Sequence, residues 1–245
     1  MKPGQIAGIA GLAAFGWWLM RRMSSPASAA ESPGAQAAAP VAGPIGKTLP
    51  DVVGLKERFA AEPGLAKAYF DMIAELGWTD DHADHLAAAI GNIESGWNPQ
   101  AQNATSKATG LIQFMPETAK LYGTTIDALL KMTATEQIPF VKKQFQNYKS
   151  LSPIDIYPAI FMPNTVGKPD SKVVGYSTLE AAVASGLSPE IPPGKKRSPA
   201  EWAVLVYQQN RGLDVNKDGL LTAGDIRQKL RSAVEGARSR PRVNV

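Results

Sequence analysis

Ile93-Glu94-Ser95-Gly96-Trp97-Asn98-Pro99, followed by Gly110-Leu111-Ile112-Gln113-Phe114-Met115-Pro116, is the stretch on which the reading of this chain turns. Just upstream, Thr79 is placed to cap a helix whose first turn holds Asp80 and Asp81, which suit the positive end of its dipole. Ala83, Leu86, Ile90 and Ile93 then recur at helical spacing, and Gly96 offers a C-terminal stop. Glu94 therefore falls at the border of the buried stripe. A carboxyl there loses part of its hydration, so its pKa rises and it keeps a proton near neutrality, as a general acid must. A lone Glu at such a place is more often a polar helix end. Here the flanking residues favour chemistry.

Glu94-Ser95-Gly96-Trp97-Asn98-Pro99-Gln100-Ala101, then Gly110 through Pro116, then Glu117-Thr118-Ala119 resembles the lytic transglycosylases of the soluble type, relatives of goose-type lysozyme. Versions in phage virion proteins are closest in flavour. There a Tyr-x-Gln-Asn-x-Gly-Leu-Asp run follows the core, as Tyr207-Gln208-Gln209-Asn210-Arg211-Gly212-Leu213-Asp214 does here. The resemblance implies an all-α, lysozyme-like domain that cleaves the β-1,4 bond between N-acetylmuramic acid and N-acetylglucosamine in peptidoglycan.

It also implies a mechanism with one carboxylate, where most glycosidases need two. Glu94 would protonate the bridging oxygen, the substrate's N-acetyl group would stabilise the oxocarbenium-like state, and Glu94 would then deprotonate the sugar's 6-hydroxyl. The product is a 1,6-anhydro ring, no water is consumed, and no cofactor takes part. Ser95 would bond the substrate or hold Glu94, Gly110 would let backbone approach the sugar, Gln113 would offer an amide, and Met115 an apolar wall. Family members carry a late Ala-Tyr-Asn motif. Val206-Tyr207-Gln208 departs from it, which makes Tyr207 and Asn210 the candidates for that role. Tyr157 is a further candidate, for stacking on a sugar face, with a core tyrosine as the other reading. The alternatives are a muramidase of the same fold that adds water, and a non-catalytic peptidoglycan-binding ejection protein.

Asp214-x-Asn216-x-Asp218-Gly219-Leu220-x-Thr222-x-x-Asp225 follows the EF-hand pattern, with Asp225 in place of the usual bidentate Glu. The expected ligands are Asp214, Asn216, Asp218, Leu220 through its carbonyl, and Asp225. A structural calcium there would pin Tyr207 and Asn210 beside the glycan cleft; a metal-free polar turn is the alternative. His82 and His85 have no third ligand at recognisable spacing, and a solvated helix face is expected for them.

The chain has 245 residues, a net charge of +4 and no cysteine, which excludes disulfides and thiol chemistry. Basic residues cluster at Lys195-Lys196-Arg197 and at Arg238, Arg240 and Arg242, without the aromatic interleaving of a nucleic-acid surface, so no nucleic-acid partner is expected. Gly4 to Met20 carries no charge and can just cross a hydrocarbon core of roughly 30 Å. Trp17-Trp18 and Arg21-Arg22 suit the interface. Residues 1–23 thus read as an uncleaved anchor, with a signal peptide cut near Ala27-Ser28-Ala29 as the other reading.

Arg21 and Arg22 favour a cytoplasmic domain, where a wall enzyme would not meet its substrate. Residence in a virion membrane or delivery from a phage particle, with other virion proteins as partners, removes that conflict. Residues 24–50, rich in Ala, Pro, Ser and Gly, read as a tether, 51–235 as the catalytic domain and 236–245 as a basic tail, whose charge suits the anionic cell wall, a phospholipid surface or plain solvation.

Within the domain, Leu65, Tyr69, Met72, Ile73 and Leu76 form one stripe ending at Gly77, and Pro116 opens a short helix to Tyr122. Thr135 is expected to cap a helix with Pro139 in its first turn. Ser152, Ser177 and Ser198 each begin a capping box. No alternating strand of five or more residues occurs.

Overall fold

The computed structural model describes residues 48–148 and 150–244. The expected anchor and nearly all of the tether lie outside the described residues. Among those described, no helix is long and apolar enough to cross a membrane.

The described chain is mostly helical, as expected. A two-residue strand β1 (Thr48–Leu49) leads into α1 (Leu55–Ala61), α2 (Leu65–Glu75) and α3 (Asp80–Ala88). A π-helical turn, Ala89–Glu94, continues α3 directly. Then come α4 (Pro116–Leu121), α5 (Ile126–Leu129), α6 (Ala134–Phe145) and α7 (Ile156–Phe161). The last part holds β2 (Val173–Tyr176), α8 (Leu179–Ala184), α9 (Pro199–Asn210), β3 (Leu220–Thr222), α10 (Ala223–Arg238) and β4 (Val243–Asn244). Two small antiparallel pairs, β1 with β4 and β2 with β3, are the sheet content among the described residues.

One apolar core runs through the domain, with Leu86, Ile90, Leu111, Phe145, Ile156 and Leu230 fully sealed from solvent. α3 and its π-turn lie in the middle of it, against α7 and α10. The α2 stripe buries Leu65, Tyr69, Met72 and Ile73 and ends at Gly77, whose φ of 67° is the left-handed value that suits glycine. Pro116 occupies the first position of α4, where its missing N–H costs nothing.

Several local expectations need correction. α6 is capped by Thr133 with Glu136 in a reciprocal box, so Pro139 sits inside the helix. Thr135 instead donates its N–H (2.9 Å) and hydroxyl (3.0 Å) to Glu62, an acid brought to the helix start from α1. Burial alone would raise the Glu62 pKa, but these bonds, with the N–H of Ala134 and Arg58, hold it below the usual range. Of the three serine boxes only Ser198 forms one. Thr178, not Ser177, caps α8, and Asp155 leaves Ser152 to pair with Arg227. For Thr135 and Asp155 a longer-range partner outcompetes the local one.

The basic tail is folded onto the domain, with Arg238 and Arg242 exposed but paired. α10 runs on to Arg238, and β4 pairs with β1, so residues 236–244 and 48–50 are part of the fold. Arg242 grips Asp84 with two bonds (2.8 and 2.9 Å) and Arg238 adds a third at 3.2 Å. Asp84, 4% exposed on α3, collects these charges because a buried carboxylate needs partners. His82 and His85 are likewise built in. His82 stacks on Trp78 at 5.2 Å and bonds the Leu151 carbonyl at 2.8 Å; His85 is buried with Nδ1 2.7 Å from the Asp81 carbonyl.

Candidate active site

Glu94 closes the π-turn. The N–H groups of Ser95 and Gly96 both reach back to the Ile90 carbonyl at 3.0 Å, which widens the last turn and ends the helix. The expected α-helical stop at Gly96 is therefore reached through a π-turn, with Gly96 at φ 61°. Glycines also let neighbouring backbone come close. A Cβ on Gly91 would lie 2.5 Å from Val52 Cγ2, and one on Gly54 would lie 1.9 Å from the Gly96 carbonyl oxygen. Trp97, fully buried and itself at φ 58°, anchors the motif with edge contacts to Phe59 (5.1 Å) and Tyr69 (5.6 Å).

The Glu94 backbone is at a partly exposed helix end, but both carboxyl oxygens are sealed from solvent and neither has a hydrogen-bond partner. Burial pushes its pKa from the ordinary 4.5 up to about 8. No neighbouring acid contributes to this rise, which comes from desolvation. The group is therefore a protonated carboxyl at neutral pH in a dry setting. Tyr157, on α7, shares that setting: burial first, and then the negative charge of Glu94, raise its pKa well above the usual value.

The second half of the motif folds around this corner. Ser95 Oγ donates to the Leu111 carbonyl at 2.9 Å, joining the helix end to the 110–116 segment. Gly110 has φ 84°, and a Cβ there would lie 2.4 Å from Gln137 Oε1. A close approach to Gln137 therefore requires glycine here. Gln137 is fully buried: its Oε1 accepts from Leu111 N–H (2.9 Å), and its Nε2 donates to the carbonyls of Pro99 (2.8 Å) and Leu129 (3.0 Å). Sequence reasoning missed this residue. The available signal was a polar side chain on the inward stripe formed by Ala134, Ile138, Val141 and Phe145.

Gln113, at φ 53°, turns its Nε2 inward to the carbonyls of Gly110 (3.0 Å) and Ala101 (3.2 Å), so that amide shapes the loop. Gln113 and Met115 line a small cleft of about 20 Å³ with Phe114, Gln144 and Ile160. Such a volume holds about one water. Tyr157 is 2% exposed with its ring stacked on Phe161 at 5.5 Å, so it is a core aromatic and has no free face for a sugar.

Tyr207 and Asn210 make their hydrogen bonds on and beside α9. Tyr207 donates its hydroxyl to Asp214 Oδ2 at 2.8 Å, and that bond raises its pKa. Asn210 is fully buried, with Nδ2 on the Val206 carbonyl at 2.9 Å. Both lie on α9, Tyr207 is tied to the 214–225 loop through Asp214, and the tyrosine whose pKa Glu94 raises is Tyr157.

In that loop, Asp214 also accepts from Gly219 N–H (3.1 Å), Asp218 from Leu220 N–H (2.8 Å), and Asp225 from Thr222 N–H (2.9 Å). Among the described residues no three acidic or histidine side chains converge as a ready metal cage.

No curated protein and no solved structure matches the chain. A family model described as "Transglycosylase SLT domain" matches residues 71–137, from α2 into the start of α6, and that stretch contains Glu94, Ser95, Gly110 to Pro116 and Gln137. Over residues 71–137 the chain is thus similar to a lytic-transglycosylase SLT domain, which supports a peptidoglycan-degrading activity of that general kind.

Proposed function

We propose that this protein is a peptidoglycan lytic transglycosylase, cleaving the β-1,4 bond between N-acetylmuramic acid and N-acetylglucosamine with closure of a 1,6-anhydro ring. The observation that carries this reading is the Glu94 carboxyl, dry, without partners and with a pKa of about 8. A group that holds its proton at neutral pH can give it to the bridging oxygen, and the carboxylate left behind can take the proton of the 6-hydroxyl. A second catalytic acid close by would add its own charge to the Glu94 shift, and burial accounts for that shift by itself. This favours a reaction in which the sugar supplies its own nucleophile. Because the carboxyl is closed off, glycan binding has to part the side chains above it.

The charge-free N-terminal stretch and the tether would hold the domain at a membrane, with delivery from a phage particle bringing it to the wall during genome entry or release. The test is mass spectrometry of sacculi digested by the full chain. Anhydro-muropeptides are expected. Hydrated muramic ends would identify a muramidase instead, and intact sacculi together with a blank zymogram would identify a binding protein.

A further inference from the structure

The loop between α9 and α10 has a feature that a plain polar turn does not explain. Asp214 is 7% exposed, and its Oδ2 is engaged by the Tyr207 hydroxyl and Gly219 N–H, yet its Oδ1 is buried with no hydrogen-bond partner. A carboxylate oxygen left so inside a folded domain is costly unless a cation or donor meets it. It sits at the first position of the twelve-residue pattern that ends at Asp225. Gly219 holds the sixth position at φ 83°, where a Cβ would lie 2.5 Å from Ser177 Oγ. Thr222 caps α10 through Asp225, so the twelfth position is already at the mouth of the loop.

We propose that residues 214–225 form a calcium site, with oxygens from Asp214, Asn216, Asp218, the Leu220 backbone and Asp225. Mixed carboxylate, amide and carbonyl oxygens on a flexible loop suit calcium's loose coordination better than the strict octahedron of magnesium. Binding requires the Asp218 and Asp225 side chains to turn from the loop's N–H groups toward the ion. That cost, and the short reach of Asp225 compared with Glu, place the affinity at the weak end for such loops.

The site is bolted to the rest of the domain. Two residues after Asp225, Arg227 Nε donates to Asp155 at 2.7 Å and Nη2 to the Thr165 carbonyl at 3.2 Å, and Asp155 leads directly into the helix of Tyr157.

The full chain, melted in EDTA and in roughly 5 mM calcium chloride, tests this, since weak loops of this type bind near 10⁻³ M. A midpoint rise of about 2–4 °C is expected for a several-fold excess over Kd. Asp218→Asn, on the exposed side of the loop, should keep the fold and lose most of the rise. Terbium(III) should luminesce through the Tyr207 ring and be displaced by calcium. An unchanged midpoint, an equal rise with magnesium, or an Asp218→Asn protein that responds like the wild type would each overturn the site. None of these readouts depends on the reaction assigned to Glu94.

Discussion

Gln137 and Glu94 are both polar side chains taken out of water in the same part of the molecule, and they are treated in opposite ways. Gln137 meets three backbone groups from three different segments, at Pro99, Leu111 and Leu129. Glu94 meets none. A satisfied buried amide costs little and fixes the segments it touches, whereas an unsatisfied buried carboxyl costs stability and keeps its proton. Structure is held at Gln137, and the capacity for chemistry is stored at Glu94, whose neighbour Ser95 bonds the same Leu111 that Gln137 holds. Folds retain such costs mainly where function uses them.

The contrast can be broken most directly at Glu94. Glu94→Gln keeps the shape and removes the transferable proton, so turnover of peptidoglycan should fall by about 10²–10⁴-fold or more, with the circular dichroism spectrum unchanged. A variant retaining a tenth of the wild-type rate would show that the proton comes from elsewhere.

Gln137→Leu should do the reverse, acting on stability first. It strands the Leu111 N–H and the carbonyls of Pro99 and Leu129 in the core, at a cost of about 3–5 kcal/mol. Urea denaturation measures this, and a loss below about 1 kcal/mol would mean that the three segments are held by packing alone.

The smallest effect sharpens the comparison through pH. The folded state keeps the Glu94 proton at pH values where the unfolded chain has released it. Stability therefore falls as pH rises from 4.5, the ordinary value, to about 8, and is flat above. Glu94→Gln lacks this penalty. It should match the wild type near pH 4 and exceed it by about 2–4 kcal/mol at pH 9. Equal stabilities at both pH values would show that the carboxyl is hydrated in solution.

The helices were legible in the residues. The α2 stripe, the Pro116 start, the Ser198 box and the border position of Glu94 are local patterns of apolar spacing and capping. Expectations failed where a distant group offered a better partner. Thr135 is taken by Glu62, Asp155 by Arg227, and the tail arginines by Asp84. Charged residues read as solvated because sequence shows a charge and not the opposite charge that folds against it.

By itself, the sequence determined that this is a mainly helical chain with an SLT-type motif centred on Glu94, because periodicity, caps and motif residues lie within a few positions of one another. Only the tertiary structure decided which tyrosine feels the charge of Glu94. Tyr157 and Tyr207 are alike as sequence, but α7 packs on α3 while α9 packs on β2. The same holds for Gly110, which had to be glycine for the sake of a glutamine 27 positions away. Contacts of that range are settled by how helices close around a core, and no local pattern encodes them.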